Sequence, residues 1–354
     1  MPGPPQSIPE KLIPSRRKIA SHAPSDIVSP VNQLNMRVRA LIAVLALAVA
    51  AAVQAQDYPT KPVRVVVPFP PGGILELITR AVTDKVGANW GHPIIVEPRP
   101  GASGNIGIQV ARSAPPDGYT LMMSAIFLAA NPALDVNSKF KSTDFVGVAL
   151  VGMTPNVFVV PASLPVNSLK EFVEYAKARP GKLTAGHPGT GTFGHLCTLL
   201  FASHSGIDLV NVPYKSLPQA IPDLLSGQLS FMVLTTTFAV PHLRSGKIKA
   251  LAVDTPARLH DLADVPTVVE AGFPPEMVAV QWFGFVAPAG TPGEIVRRFN
   301  GEVGKALKSR EVIDRLEKIG VAISSGPPEQ FDALIRSESE RWARVIKERK
   351  LKAD

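Results

Sequence analysis

Short apolar runs alternate with amphipathic stretches through most of this chain, and that alternation limits its fold more than any bulk property. VRVVVPF (63–69) reads as a strand, Leu77 to Val86 as a helix, PIIVEPR (93–99) as a strand, Ile106 to Ala114 as a helix and YTLMMSA (119–125) as a strand. Strand and helix in alternation predict an α/β unit with a largely parallel sheet. Runs that are apolar on both faces, such as VRVVV, suit strands covered on both sides. GVALVGMTPNVFVVPA (147–162) then holds two extended runs around Thr154-Pro155.

A second alternating unit follows. KLTAG, LVNVPY, LSFMVLT and IKALAV (248–253) read as strands, with HLCTLLFASHSG, AIPDLLSG and VPHLRSG as helices between them. VQWFGFVAPAGTP returns as an extended run, and helices continue to the C-terminus, including EQFDALIRSESERWARVIKER. Ser168-Leu169-Lys170-Glu171 and Thr291-Pro292-Gly293-Glu294 both have capping-box spacing, the second with Pro at the first helical position. Two extended crossings, near 150–160 and 280–287, imply a discontinuous first domain (56–155 with 282–354) and an inserted second one (156–281). A length near 300 residues after processing is large for one core and agrees with two domains.

The N-terminal part reads differently. Residues 36–55, MRVRALIAVLALAVAAAVQA, place Arg37 and Arg39 before a short apolar run and small residues at Val53-Gln54-Ala55. That is the layout of a secretory signal peptide cleaved after about Ala55, and the apolar run is short for a membrane span of about 20 residues. Residues 1–35 are rich in Pro, Ser and charge without apolar periodicity, which predicts disorder or a start-site artefact with translation beginning at Met36. Cys197 is the single cysteine, so no intramolecular disulfide or cysteine zinc cluster forms, and no cysteine ends the signal to carry a lipid. The expected product is free and soluble rather than anchored.

The formal charge is +8. Residues 56–354 hold 31 Lys and Arg against 27 Asp and Glu, so half of that charge lies in the N-terminal segment. A small charge spread along the chain argues against nucleic-acid binding and mildly favours anionic small ligands.

Two glycine-rich turns stand where strands give way to helices. In VVVPFPPGGILE, Gly72 and Gly73 precede a helix whose first N–H groups lack partners, a potential anion site. The stretch has neither Walker nor dinucleotide-fingerprint spacing, so it holds no nucleotide; a plain tight turn is the alternative. GHPGTGTFGHL (186–196) is the second such start, with Thr192 as a potential N-cap and the Thr190 or Thr192 hydroxyl as a potential ligand donor. Together the two turns suggest a clamp on one anion. His187 and His195 lack the partners of a metal site, so no metal and no cofactor are expected. No nucleophile elbow is present, and Cys197 within an apolar helix reads as a small hydrophobe. Tyr214, at the end of the VPYK strand, is either a cleft residue or an ordinary strand-end tyrosine. QWFGF (281–285) reads as core or hinge, with ligand contact as the alternative.

Taken in order, YPTKPVRVVVPFPPGG, EPRPGASGNIG, APPDGYTLMM, PNVFVV, ARPGKLTAG, GHL, VPYK, PHLRSGKIKALAV, LADVPTVVEAGFP and WFGFVAPAGTP resemble the Bug/TctC family, the periplasmic solute receptors of tripartite tricarboxylate transporters. The resemblance covers residues 57–350. It implies a type II-like periplasmic-binding-protein fold, with a ligand cleft between two α/β domains joined by two crossing strands. It implies a small organic acid as ligand, membrane permease subunits as partners, and no catalysis. Phe69, Pro70, Gly72 and Gly73 match the family's first loop. Ser124 matches a cleft residue, with Asn131 just beyond it. Gly191, Thr192 and His195 match the second loop, and Tyr214 the VPYK tyrosine. The chain departs from the family text at Ile74, Leu75 and Glu76, where Gly-Thr-Asp is common. It departs again at Leu234, where an Asp is expected before Thr235. These departures predict a less polar, aliphatic or aromatic acid rather than an amino acid. A secreted hydrolase or transferase on the same scaffold is the alternative, and it requires a nucleophile and base that the sequence does not supply.

Overall fold

The computed structural model describes residues 58–135, 138–279 and 281–352. The expected signal segment and residues 1–35 lie outside the described residues. Strand β1 (Val63–Val67) feeds helix α1 (Ile74–Trp90), followed by β2 (Ile94–Pro98), α2 (Asn105–Arg112), β3 (Thr120–Ala125) and α3 (Phe127–Leu134). Long strand β4 (Phe145–Thr154) then passes through Pro155 directly into β5 (Asn156–Pro161). The second unit runs α4 (Leu169–Lys177), β6 (Leu183–His187), α5 (Phe193–Ser205), β7 (Leu209–Pro213), α6 (Leu217–Ser226), β8 (Phe231–Thr235), α7 (Thr236–Arg244) and β9 (Ile248–Val253). Strand β10 (Gln281–Pro288) returns, and α8 (Gly293–Ala306), α9 (Arg310–Lys318), β11 (Ala322–Ile323) and α10 (Pro328–Arg349) complete the described chain.

These strands form two sheets, in the orders β11-β4-β10-β3-β1-β2 and β7-β6-β8-β5-β9. Each has the expected parallel core, with antiparallel strands added. In the first, β2, β1 and β3 are parallel, while β10 pairs antiparallel with both β3 and β4, and β11 antiparallel with β4. In the second, β7, β6 and β8 are parallel and β5 is reversed between β8 and β9. The chain enters each sheet from the other along the reversed strand, β5 on the way out and β10 on the way back. A strand arriving without a crossover helix has no reason to run parallel.

Burial explains the apolar runs. Every residue of β3, β5 and β8 is buried, as expected for strands covered on both faces. Phe158, Phe172, Phe201 and Phe231 cluster beneath the second sheet, with Phe172 and Phe231 stacked at 5.0 Å between centroids. Trp282, Phe283 and Phe285 of β10 are core residues, Trp282 meeting Phe331 of α10 edge-on at 5.4 Å. Gly284 permits this approach, since a Cβ there would lie 2.4 Å from the Phe331 ring. At its far end α10 reaches elements beside the second sheet. Arg349 pairs with Glu276 at 3.1 Å, and its carbonyl accepts a bond from Ser203 at the end of α5 at 3.4 Å.

The helix starts differ in detail from the expected caps. Ser168 accepts the Glu171 N–H at 3.1 Å, but the Glu171 carboxylate reaches past it to the N–H of Asn167 at 2.7 Å. The expected box at Thr291 does not form. Pro292, at ψ 133°, is itself the cap, and the Thr291 hydroxyl turns back to donate to the Pro288 carbonyl at 2.7 Å.

Candidate functional site

A cleft opens at the carboxyl ends of the parallel strands, where α/β folds place their ligands. Five helices begin at its wall. Each follows a strand closely: α1 after β1, α3 after β3, α5 after β6, α6 after β7 and α7 after β8. None of the five has a side chain capping its first N–H groups, whose N-caps are Gly73, Ile126, Thr192, Ser216 and Thr235. Unpaired amides and the positive ends of helix dipoles therefore face one space.

The first loop is held from within. Gly72, at φ +80°, turns its N–H toward the Glu76 carboxylate, which accepts it at 2.7 Å. The other Glu76 oxygen pairs with Arg80 at 2.8 Å. The Gly72 bond, followed by Arg80, holds the Glu76 carboxyl below its usual range despite burial. Phe69, Pro70, Gly72, Gly73, Ile74 and Leu75 line the cleft; Glu76 does not, and acts as the loop's internal brace.

The second loop is braced similarly. His195, buried in α5, accepts the Gly191 N–H on Nδ1 at 3.0 Å, and its ring lies 4.3 Å from that of His187. Burial, with His187 adding to it, lowers the His195 imidazole to about 3, so the ring is neutral and free to accept. The Thr192 hydroxyl donates back to Gly189 at 2.6 Å, which makes Thr192 a positional cap whose own donor is already used. Thr192 lines the cleft; Thr190, Gly191 and His195 shape the loop without lining it.

Four further expected residues stand away from the wall. Ser124 donates to the Gly284 carbonyl at 2.8 Å within the first sheet. The Tyr214 hydroxyl donates to Asp223 at 2.5 Å, and burial followed by that carboxylate pushes the phenol up to about 12. Leu234 lies in the apolar core with Val157 and Val253. Strand alternation explains this: Val233 and Thr235 point into the cleft, so the residue between them points away. The cleft position at the end of β8 is Thr235 rather than Leu234, and the inference drawn from a missing carboxylate at Leu234 loses its basis. Asn131 is buried and reaches across to the second loop.

Thr235 is the more telling residue. Thr235 lines the cleft, and its side-chain oxygen is buried without a hydrogen-bond partner. Such a hydroxyl is costly unless something completes it. The walls are otherwise mainly apolar, with Phe69, Phe127, Phe193 and Phe238 as the aromatic surfaces. Lys215 is the one charged side chain among the lining residues, and no carboxylate contributes to the wall. Sequence reasoning missed Lys215, Ser216, Phe127 and Asn156, each within three residues of a strand end, and Phe193, the first residue of α5. Phe238, on α7 just past β8, and Gln281, the first residue of β10, also line the cleft.

Behind the first loop the backbone is strained. Residues 101–104 run at φ 127°, 47°, 56° and 91°, with the non-glycine residues Ala102 and Ser103 in the left-handed region. Each costs about 1–2 kcal/mol there. The segment packs Gly104 against the Phe69 ring, where a Cβ would stand at 3.3 Å.

Two sheets joined by crossing strands, with helix starts converging on a cleft, define a periplasmic-binding-protein fold. The match to the family model described as "Tripartite tricarboxylate transporter family receptor" spans residues 78–351, and the chain belongs to that TctC family. It is 34% identical over 303 residues to the protein BugT of Bordetella pertussis, covering 85% of this chain and 93% of BugT. Among solved structures, the periplasmic binding protein BugD is 29% identical with a TM-score of 0.75, over 84% of this chain and 100% of BugD. An R. palustris protein solved with adipate is 33% identical with TM-score 0.75, over 84% of this chain and 99% of its own. MatC from Rhodopseudomonas palustris, with bound malate, is 31% identical with TM-score 0.75, over 82% and 100%. These proteins are binding proteins, not enzymes, and this chain is a periplasmic solute-binding receptor of that kind.

Proposed function

We propose that this receptor captures a small organic carboxylate in the cleft and delivers it to the membrane permease subunits of a tripartite transporter. The supporting observation is the meeting of five uncapped helix starts and Lys215 in a wall that holds no carboxylate. An anion is the solute such a space stabilises, because amide dipoles and the ammonium act together on it. The ligand's body is aliphatic or aromatic, matching the phenylalanines and Leu75. Thr235 completes its hydrogen bonding on a second polar atom of the ligand.

In this reading the two sheets belong to two lobes, 56–155 with 282–354 and 156–281, which close on the ligand about the crossings. The chain works as a monomer, exported by a signal cleaved after about Ala55. Calorimetry and thermal shift against aliphatic and aromatic mono- and dicarboxylates, with aspartate, glutamate and citrate included, test the proposal. Binding of apolar-bodied acids, weakened in Lys215→Met, is the expected result. Tight binding confined to aspartate, glutamate and citrate, or to neutral compounds, overturns it.

A further inference from the structure

We propose that Asn131 is an affinity-determining positioning residue that contacts not the ligand but the facing loop at Gly191, holding the two halves of the cleft together. This rests on the cleft being the solute site. Asn131 lies on α3, which follows a strand of the first sheet; Gly191 lies in the loop between β6 and α5 of the second. A Cβ on Gly191 would stand 2.1 Å from Asn131 Oδ1. The hydrogen that glycine carries in that direction therefore points at the amide oxygen, the arrangement of a weak Cα–H···O contact. Both residues are buried, and neither lines the cleft.

Each partner is fixed from its own side. Asn131 Nδ2 donates to the carbonyl of Ser103 at 3.4 Å, which leaves Oδ1 facing Gly191. Ser103 belongs to the left-handed segment, so the strained backbone is what turns that carbonyl toward the amide. Strain kept at such a place is commonly tied to function. Across the gap, Gly191 is held at φ +72° by its N–H bond to His195, and Thr192 ties the same turn to Gly189. Asn131 Oδ1 has no conventional hydrogen-bond partner. Its burial is explained by the approach of Gly191 rather than by the helix it sits on.

The test is a double-mutant cycle on binding of an aliphatic or aromatic carboxylate that the wild type takes. Asn131→Ala is expected to weaken every bound acid by a similar factor of about 3–10, mainly through faster dissociation, with ratios between acids unchanged. Gly191→Ala weakens binding further, since its Cβ collides with Asn131. The double variant binds several-fold tighter than Gly191→Ala alone, because the collision is gone. Additive effects, or altered ratios between acids after Asn131→Ala, overturn the proposal. A readout without ligand separates this proposal from the solute reading. Amide exchange of residues 189–192 should quicken in the Asn131→Ala apo protein, and unchanged exchange overturns the contact even if no carboxylate binds.

Discussion

The carboxylate of Glu76 closes over the first cleft loop by accepting the N–H of Gly72 at 2.7 Å, one helical turn before it. A side chain that departs from the family's usual short acid thus serves the loop and not the solute. Glu76→Ala is expected to destabilise the protein by about 1–2 kcal/mol, the range for losing a charged cap at a helix start. The contribution is present above the unfolded carboxyl value of about 4.3 and is lost as pH falls through the depressed folded value. Urea unfolding at pH 7 and at several pH values below about 4 measures it. Equal stability of the variant at pH 7 would show that water braces Gly72 as well as Glu76 does.

Thr235 offers a sharper separation of folding from binding. Thr235→Val keeps the shape and removes the buried oxygen that lacks a partner. The apo protein should be unchanged or more stable by about 1 kcal/mol, because an unmet polar group is no longer buried. Ligand affinity should fall by about 5–10-fold, the equivalent of one hydrogen bond. A variant less stable without ligand and unaltered in affinity would mean that the hydroxyl serves the fold alone.

Leu75 lines the cleft at the first loop, where the proposed ligand's apolar body would sit. Leu75→Thr should cost about 2 kcal/mol of stability through lost burial. It should also shift preference toward acids bearing hydroxyls, as read by calorimetry across a carboxylate panel. Affinities that all drop by one common factor would assign Leu75 to packing and not to selectivity.

Much of this was legible because strand and helix periods are local. The two alternating units, the crossing at Thr154-Pro155 and the glycine turns all announce themselves in residues close in sequence. What was not legible depended on contacts made at a distance. The reversal of β5 and β10 is fixed by which sheet a strand joins, which no local pattern encodes. Leu234 and Thr235 are adjacent candidates, and in a strand neighbours face opposite sides, so only Thr235 reaches the cleft. Glu76 and His195 enter the candidate site through the family's loop text, while their hydrogen bonds show them bracing its loops. Phe238 enters the wall through the packing of α7, and Gln281 through the return strand, whose QWFGF stretch shows an aromatic core but not which of its residues turns to the cleft.

The crossing from β4 to β5 carries its own titratable group. Asp254, at the end of β9, accepts the N–H of Asn156 at 2.8 Å and its Nδ2 at 2.9 Å, and Asn156 lines the cleft. Burial lifts the Asp254 carboxyl to about 7, against the pull of those bonds toward the ionised form. A raised folded value means the native state binds the proton more tightly than the unfolded chain. Stability from this group is full below the unfolded value near 4 and is lost as pH rises toward 7, at about 1.4 kcal/mol per pH unit. Above 7 it should level off. Asp254→Asn cannot titrate, so the stability difference between wild type and variant isolates the effect from every other group. Urea unfolding of both apo proteins at pH 5, 6, 7 and 8 should give a difference that shrinks to pH 7 and then holds. A difference flat from pH 5 upward would mean that the Asn156 bonds outweigh burial and keep Asp254 ionised throughout.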